Sequence, residues 1–436
     1  MLSVLNNRTY RHLFTAQVIA LVGTGLMTVA LGLLAYELAG ADAGAVLGTA
    51  LAIKMLAYAG VAPVAQAFAD RLPRRSLLVA LDLVRAAVAL CLPFVTEVWQ
   101  IYLLIFVLQA ASAGFTPTFQ ATIPDILPDE EDYTKALSLS RLAYDLESLI
   151  SPMLAAALLT VISFHNLFAG TVLGFLVSAA LVVSVRLPTS VPGPRRGIWE
   201  RTTRGTRIYL ATPRLRGLLA ISLAVSAAGA MVIVNTVVLV KARFGLGAVE
   251  VAWALAAFGG GSMVAAFVLP SLLEKVADRP AMLTGAAVLV VGTAIGALLP
   301  SYALLLPLWL VIGFGYSVAQ TPSGRLLRRS AHAEDRPAIF AAHFALSHAC
   351  WLICYPLAGR FGAAMGLQST FVVMSLIGLA GVALALRLWP ASDPSDLAHD
   401  HPNLSADHPH LRQHANQGGH HHVLVVDDLH RIWPKG

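Results

Sequence analysis

Apolar stretches of membrane-crossing length recur along this chain from about residue 12 to about residue 389, each parted from the next by a short polar segment. A helix rising about 1.5 Å per residue needs about 20 residues to cross the roughly 30 Å hydrocarbon layer. The pattern predicts twelve spanning helices, at 12 to 38, 44 to 69, 76 to 95, 99 to 122, 135 to 160, 165 to 187, 215 to 241, 249 to 273, 281 to 299, 302 to 324, 337 to 359 and 366 to 389. Pro63, Pro117, Pro152, Pro322 and Pro356 fall inside spans and are expected to kink helices rather than end them, because neighbouring helices satisfy the freed backbone groups. The first span exceeds the length of a signal-peptide apolar region, so no cleavable leader is expected.

The twelve spans form two blocks of six. An N-terminal bundle is expected over 1 to 187, a linker loop rich in Pro, Gly and Arg over 188 to 214, a C-terminal bundle over 215 to 389 and a polar cytoplasmic tail over 390 to 436. The blocks echo each other. Thr116-Pro117 recurs as Thr321-Pro322, Glu131-Asp132 as Glu334-Asp335, Pro152 as Pro356 and Asp70-Arg71 as Asp278-Arg279, at offsets of 205, 203, 204 and 208 residues. Four landmarks keeping nearly one period in order indicate an internal duplication, which places a substrate path near mid-membrane on a pseudo-two-fold axis.

Composition agrees with burial in lipid, at 57% hydrophobic and 12% charged residues with a mean hydropathy of +0.72. Of 30 Lys and Arg, Lys54, Arg85 and Arg141 lie within spans and Lys241, Arg243 and Arg360 on one side; all the others fall on the opposite side. Basic loops stay inside, so both termini and the linker are expected in the cytoplasm. This asymmetry accounts for the net charge of +6, and no nucleic-acid partner is expected. Cys91, Cys350 and Cys354 sit in spans and imply no disulfide framework. The chain carries no phosphate-binding Gly-rich loop, nor a soluble insertion large enough for a catalytic domain, so transport rather than enzymatic chemistry is expected.

The loop Asp70-Arg71-Leu72-Pro73-Arg74-Arg75 resembles the signature between helices two and three of the major facilitator superfamily, with Gln66 and Pro73 where glycine is usual. The resemblance covers residues 1 to 389 and implies an all-α fold of two pseudo-symmetric six-helix bundles. It also implies that Asp70, Arg71, Arg74 and Arg75 form a conformational latch toward the amino end of helix eleven.

Span five is the least comfortable in a bilayer. Ser140, Tyr144, Glu147 and Ser151 share one helical stripe, with Arg141, Asp145 and Ser148 beside it. Ionised groups at mid-bilayer cost at least about 2.5 to 3.5 kcal/mol and therefore face a partner or an aqueous path. Asp145 can pair with Arg141 one turn away, whereas Glu147 has no local cation and is the candidate protonatable, cation-binding carboxylate. Asp82 and Arg85 read as a self-neutralising pair. Lys54 reads as a snorkelling cation or the neutraliser of an acid on a neighbouring helix. Gln109, Gln120, Asn235 and Gln320 either line a cavity or bond between helices. In span eleven His343, Ser347, Cys350 and Cys354 fall on one face and His348 points elsewhere; imidazole and thiolate suit Ni, Co, Zn or Cu, although buried Cys is usually inert packing.

Nine of the 14 histidines crowd the tail, namely His399, His401, His408, His410, His414, His420, His421, His422 and His430. Interleaved with Asp and Pro, they suit capture of a transition metal by a segment too polar to pack a core of its own. Together with Ala69 to Arg75 and Leu137 to Pro152, this end is similar to that of bacterial nickel-resistance efflux permeases. That resemblance implies export of Ni2+, and of cobalt in some members, across the bacterial cytoplasmic membrane. On this reading the metal ion is cargo rather than cofactor, and protons and the lipid bilayer are the other partners. No cofactor and no obligate protein partner are expected. Translocation and proton coupling fall to Glu147, Asp145, Arg141, Tyr144, His343 and His348. Two rivals remain: efflux of organic compounds such as a drug or siderophore, which predicts an aromatic-lined cavity, and a membrane metal sensor.

Overall fold

The computed structural model describes residues 2–39, 43–69, 72–159, 161–188, 198–246, 248–393, 396–398, 415–416, 419–430 and 433. Six helices build the first half: α1 (Arg8–Ala39), α2 (Ala43–Ala69), α3 (Arg74–Cys91), α4 (Val98–Ile126), α5 (Glu130–Leu159) and α6 (Phe164–Val183). A further helix, α7 (Ile198–Ala211), lies in the linker. The second half contains α8 (Pro213–Val238), α9 (Ala248–Leu273), α10 (Asp278–Gly296), α11 (Tyr302–Gln320), the short α12 (Ser323–Arg329) and α13 (Arg336–Leu388).

Ten segments are long and apolar enough to cross a membrane among the described residues, two of them being the parts Arg336–Gly362 and Ala364–Leu388 of α13. With α2 and α5, at 27 and 30 residues, the spanning helices number twelve, as the hydrophobic pattern predicts. Helical geometry breaks within α13 at Gly366, whose φ of 78° is a left-handed conformation that glycine adopts without a Cβ clash.

Each half packs in the same way. Helix α1 lies on α6, α2 on α4 and α3 on α6; in the second half α8 lies on α13, α9 on α11 and α10 on α13. Across the halves α2 meets α13 and α5 meets α9. Small residues permit close helix contact where lipid provides no hydrophobic drive. A Cβ at Gly261 of α9 would overlap the carbonyl of Leu310, and one at Gly313 of α11 that of Phe258, so backbone meets backbone there. The second half holds a continuous core that includes Trp309, Phe371 and Trp389.

Polar residues start the helices at the bundle ends. Glu97 and Gln100 form a reciprocal capping box on α4, and Asp129 Oδ1 accepts the amides of Glu131 and Asp132 at 3.0 and 3.1 Å ahead of α5.

Three expectations need correction. Pro117 lies inside α4, but its counterpart Pro322 ends α11 and caps α12, because the last turn unwinds there. The linker is not a simple loop. Arg204, Gly205, Ile208 and Tyr209 form the buried stripe of α7, and Gly205 lets that helix rest on the Ala338 carbonyl of α13. The tail contains strands β1 (Asp396–Ala398), β2 (Ala415–Asn416) and β3 (Gly419–Val423) in the order β1-β3-β2, all antiparallel. Its apolar run Leu424, Val425 and Val426 is buried, with Val426 in the core of the second half, so the tail borrows a core instead of building one.

Candidate functional site

A cavity of about 480 Å³ opens between the halves. From the first half it is lined by Gln17 and Thr24 of α1, Lys54 and Tyr58 of α2, Arg85 of α3, Gln109, Phe115 and Gln120 of α4, and Tyr144 of α5. From the second half Tyr316 and Gln320 of α11 and His343, Phe344, Ser347, His348, Trp351 and Tyr355 of α13 face it, with further side chains from α8 and α12. Residues 344, 348, 351 and 355 follow helical spacing, which turns one aromatic stripe of α13 toward the space. Tyr58 crosses the interface to meet Phe344 and His348, each at 4.8 Å between ring centroids.

Glu147 stands beside Gly25 of α1. A Cβ on Gly25 would come within 2.7 Å of Glu147 Oε1 and overlap Ser151, so Gly25 creates the room the carboxylate occupies. Lys54 lies close enough for its charge to act on Glu147. Thus Glu147 has a cation within reach after all, and it comes from α2, where spacing along α5 gives no sign of it. Tyr144 lines the cavity, and Gln17 hydrogen-bonds it and accepts from Ser140 at 3.4 Å. The side chains of Arg141 and Asp145 lie outside the described residues.

Arg85 pairs with Asp82, which also accepts from Ser178 at 2.8 Å. The guanidinium sits over the rings of Phe115 and Phe175 at 4.0 and 4.6 Å, so a fully buried acid and two aromatic faces hold the cation. Gln109, Gln120 and Gln320 line the cavity; Asn235 instead donates to the Ala358 carbonyl at 3.2 Å, a bond between helices.

The soft-ligand arrangement of span eleven differs from expectation. His343 and His348 both line the cavity, whereas Cys350 and Cys354 are buried, Cys354 within the core of the second half. The face reaching the cavity is centred on Phe344 and His348, and the cysteines lie on its far edge. The histidine Nδ1 atoms are engaged, that of His343 3.0 Å from the Tyr209 hydroxyl of α7 and that of His348 2.7 Å from the Phe344 carbonyl. Among the described residues no three His, Cys, Asp or Glu side chains group so as to hold a metal ion.

On the linker side the halves are tied by charge. Asp125, at the end of α4, accepts from Arg74 of α3 at 2.6 Å and from Arg336 of α13 at 2.7 Å. Glu130 faces Arg325 and Arg328 of α12 at 3.0 and 3.6 Å. Of the expected latch, Asp70 and Arg71 lie outside the described residues, Arg74 takes part, and Arg75 donates to the Val183 carbonyl of its own half. Asp278, the duplicate of Asp70, is 3.3 Å from Arg325. Among the described residues Asp125 is an acid that reaches helix eleven, and its only signal in the sequence is an acid directly after Pro124 at a helix end.

The tail returns to this side. Arg204 of α7 is held bidentately by Asp335, at 2.6 and 2.8 Å, and donates to Asp428 at 2.7 Å. Burial opposes its charge, but the bonds to both carboxylates raise its pKa above the usual arginine value. Asp427 accepts from the His430 amide at 2.6 Å and lies 3.0 Å from His430 Nδ1 and 3.5 Å from His332 Nε2. Burial works against its ionised form, yet these histidine bonds hold the carboxyl well below its usual range. His430 is therefore occupied in a turn. His420, His421 and His422 lie along β3, where His422 pairs with Leu397 and His421 with Ala398. His399, His401, His408, His410 and His414 lie outside the described residues.

Residues 13–237 and 219–405 match the family model described as Major Facilitator Superfamily. The chain is similar to macrolide efflux protein A of Streptococcus pyogenes, 27% identical over 181 residues, 40% of this chain and 44% of that protein. It is also similar to the multidrug efflux pump Tap of Mycobacterium tuberculosis, 29% identical over 161 residues, 37% of this chain and 38% of the pump. The match thus spans less than half the length of these curated relatives. Among solved structures, the human organic anion transporter MFSD10 (TETRAN) superposes with a TM-score of 0.76 at 13% identity, covering 87% of this chain and 99% of that one. A bacterial homologue of the iron transporter ferroportin in an outward-facing state gives 0.69 at 14%, covering 86% and 97%. These likenesses establish the shared fold.

Proposed function

The chain belongs to the major facilitator superfamily, a family of transporters, and from that premise we propose that it exports amphipathic organic compounds through the central cavity by alternating access. The observation carrying this reading is the cavity wall. Tyr58, Phe115, Tyr144, Tyr316, Phe344, Trp351 and Tyr355 surround a space of about 480 Å³, within the range that holds drug-sized molecules. Aromatic faces bind apolar bodies of varied shape, and Gln17, Gln109, Gln120 and Gln320 offer hydrogen bonds to orient them. The names of the macrolide and multidrug efflux relatives point the same way.

In the cycle we propose, the ion pairs at Asp125 and Glu130 close the linker side while the cavity faces the other way, and their rupture opens the cavity toward the cytoplasm. Glu147 is the group through which protons act on the cavity, since its charge sets the field at Lys54. The basic loops support a cytoplasmic linker, tail and amino terminus in a bacterial inner membrane.

A second reading, export of nickel or cobalt, is favoured by the histidines of the tail. A strain lacking the gene, with and without its return on a plasmid, separates the two when challenged with lipophilic antimicrobials and with Ni2+, Co2+, Zn2+ and Cu2+. Organic export predicts restored resistance to organic compounds alone. Restored resistance to metal ions alone would overturn it in favour of the second reading.

A further inference from the structure

The charge on the cavity wall goes beyond the aromatic lining and narrows the cargo. We propose that the exported compound bears a negatively charged group, a carboxylate or sulfonate on an aromatic body, and that Lys54 receives it. This inference rests on the organic-export reading above.

Lys54 sits in the middle of α2 and lines the cavity. An ammonium inside a spanning helix normally faces a partner that offsets its cost. Lys54 has no hydrogen bond or ion pair among the described residues. Its Nζ lies 5.6 Å from the centre of the Tyr58 ring, and Glu147 acts on it only from beyond ion-pair distance. Among the described residues the one other Lys or Arg in the wall, Arg85, is spoken for by Asp82, which lies behind the wall and fully buried. Among the described residues no Asp or Glu lines the cavity. Among the described residues the space therefore presents one positive charge without an ion pair, three rotatable donors on a flexible stem, beside Tyr58, whose ring meets Phe344 and His348.

Water-poor walls focus such a field, so an anion is drawn in and a metal ion or organic cation is repelled. Glu147 supplies the complementary half of the design. With the cavity empty it offsets Lys54 from a distance, and the unloaded carrier returns close to neutral. When cargo is bound, the anionic group takes over that offset at shorter range. The loaded carrier then moves one negative charge outward, a direction an inside-negative membrane potential favours.

The test uses the full chain, purified and reconstituted in liposomes, with three probes sharing one aromatic body: 2-naphthalenesulfonate, neutral 2-naphthol and a naphthyl trimethylammonium cation. The expected result is saturable binding and exit of the sulfonate, exit being accelerated by a lumen-negative potassium diffusion potential. Lys54→Gln is expected to weaken sulfonate binding by about ten- to a hundredfold while leaving naphthol unaffected, and Lys54→Arg to restore most of it. Should Lys54→Gln fail to fold, the order of the three probes on the unaltered protein still decides. Preference for the cation, or equal handling of all three, overturns the anionic assignment and leaves organic export standing. Saturable flux of Ni2+ with none of the organic probes moving overturns both.

Discussion

Arg336, the first residue of α13, and Arg74, the first of α3, share one carboxylate, that of Asp125. The three come from positions 74, 125 and 336, so a single acid at the end of α4 joins two helices of its own half to the opposite half. Arg74 is nearly excluded from solvent, and Asp125 and Arg336 are only partly exposed, so water competes weakly for these bonds. Helix α7 lies directly behind, with Arg204 bound to Asp335, the residue before Arg336. The closed linker side is thus a chain of charge running from α4 through α13 to the linker helix.

Replacing Asp125 by Asn is expected to loosen this closure. A hydrogen bond to a charged group contributes about 1.5 to 3 kcal/mol, and the tie to Arg336 exists only while the halves are together on this side. The equilibrium should move toward the linker-side-open state by roughly ten- to a hundredfold. Spin labels on the linker-side ends of α4 and α13 read the change as a longer interhelical distance. An unchanged distance distribution would deny Asp125 a part in the closure.

Glu147→Gln removes the charge that offsets Lys54 in the empty cavity. Anionic cargo should then bind more tightly, because nothing competes for the ammonium. Turnover should fall, because the empty carrier returns with an exposed cation in a membrane of low polarity. Both KM and kcat are expected to decrease, measured as initial exit rates over a range of 2-naphthalenesulfonate concentrations. An intact kcat would exclude Glu147 from the return step.

Arg204 and Asp428 should separate in a thermal melt. Arg204→Ala leaves Asp335, itself almost wholly buried, without its bidentate partner, and removing one member of a buried pair costs about 3 to 5 kcal/mol. Asp428→Asn touches a carboxylate that is half exposed, where a pair contributes about 1 kcal/mol or less. The first change should lower Tm clearly and the second barely. Equal losses would mean that the tail, rather than Asp335, is what Arg204 secures.

Much of this architecture was legible from hydrophobic run lengths alone, since a bilayer leaves a helix of about 20 residues as the economical crossing. The break between the last two spans and the pairing of Asp82 with Arg85 follow from spacing within one segment, and the duplicated halves from landmarks that repeat in order. What spacing could not supply was which side chains of different helices meet. Lys54 and Glu147 are 93 positions apart and lie on different helices, so α5 read alone makes the carboxylate look solitary. The same limit hid Asp125, whose two arginines lie on α3 and α13. For Cys350 and Cys354 helical spacing defines a shared face, but which side of α13 faces the cavity depends on α2 and α8, which only the packed structure provides. The buried stripe of α7 was hidden by its arginines, because Arg204 points inward to a carboxylate while Arg207 points out.

Docking of the tail carries its own dependence on pH. The hydrogen bond that His332 donates to Asp427 raises the pKa of His332 above its usual value of 6.5, opposed by burial and supported by the nearby charges of Asp335 and Glu334. A histidine whose pKa is raised on docking contributes stability that is fully present below its undocked pKa and is lost as pH rises through the docked one. Asp427 stays ionised over this range, because its own pKa is depressed. Residues 424–430 should therefore be better protected at pH 6 than at pH 8, measured as amide hydrogen exchange corrected for its intrinsic pH dependence. His332→Gln should flatten that difference while leaving the helices of the bundle as protected as before. Equal protection at both pH values in the unaltered protein would show that the apolar run Leu424 to Val426, rather than the His332–Asp427 bond, holds the tail in place.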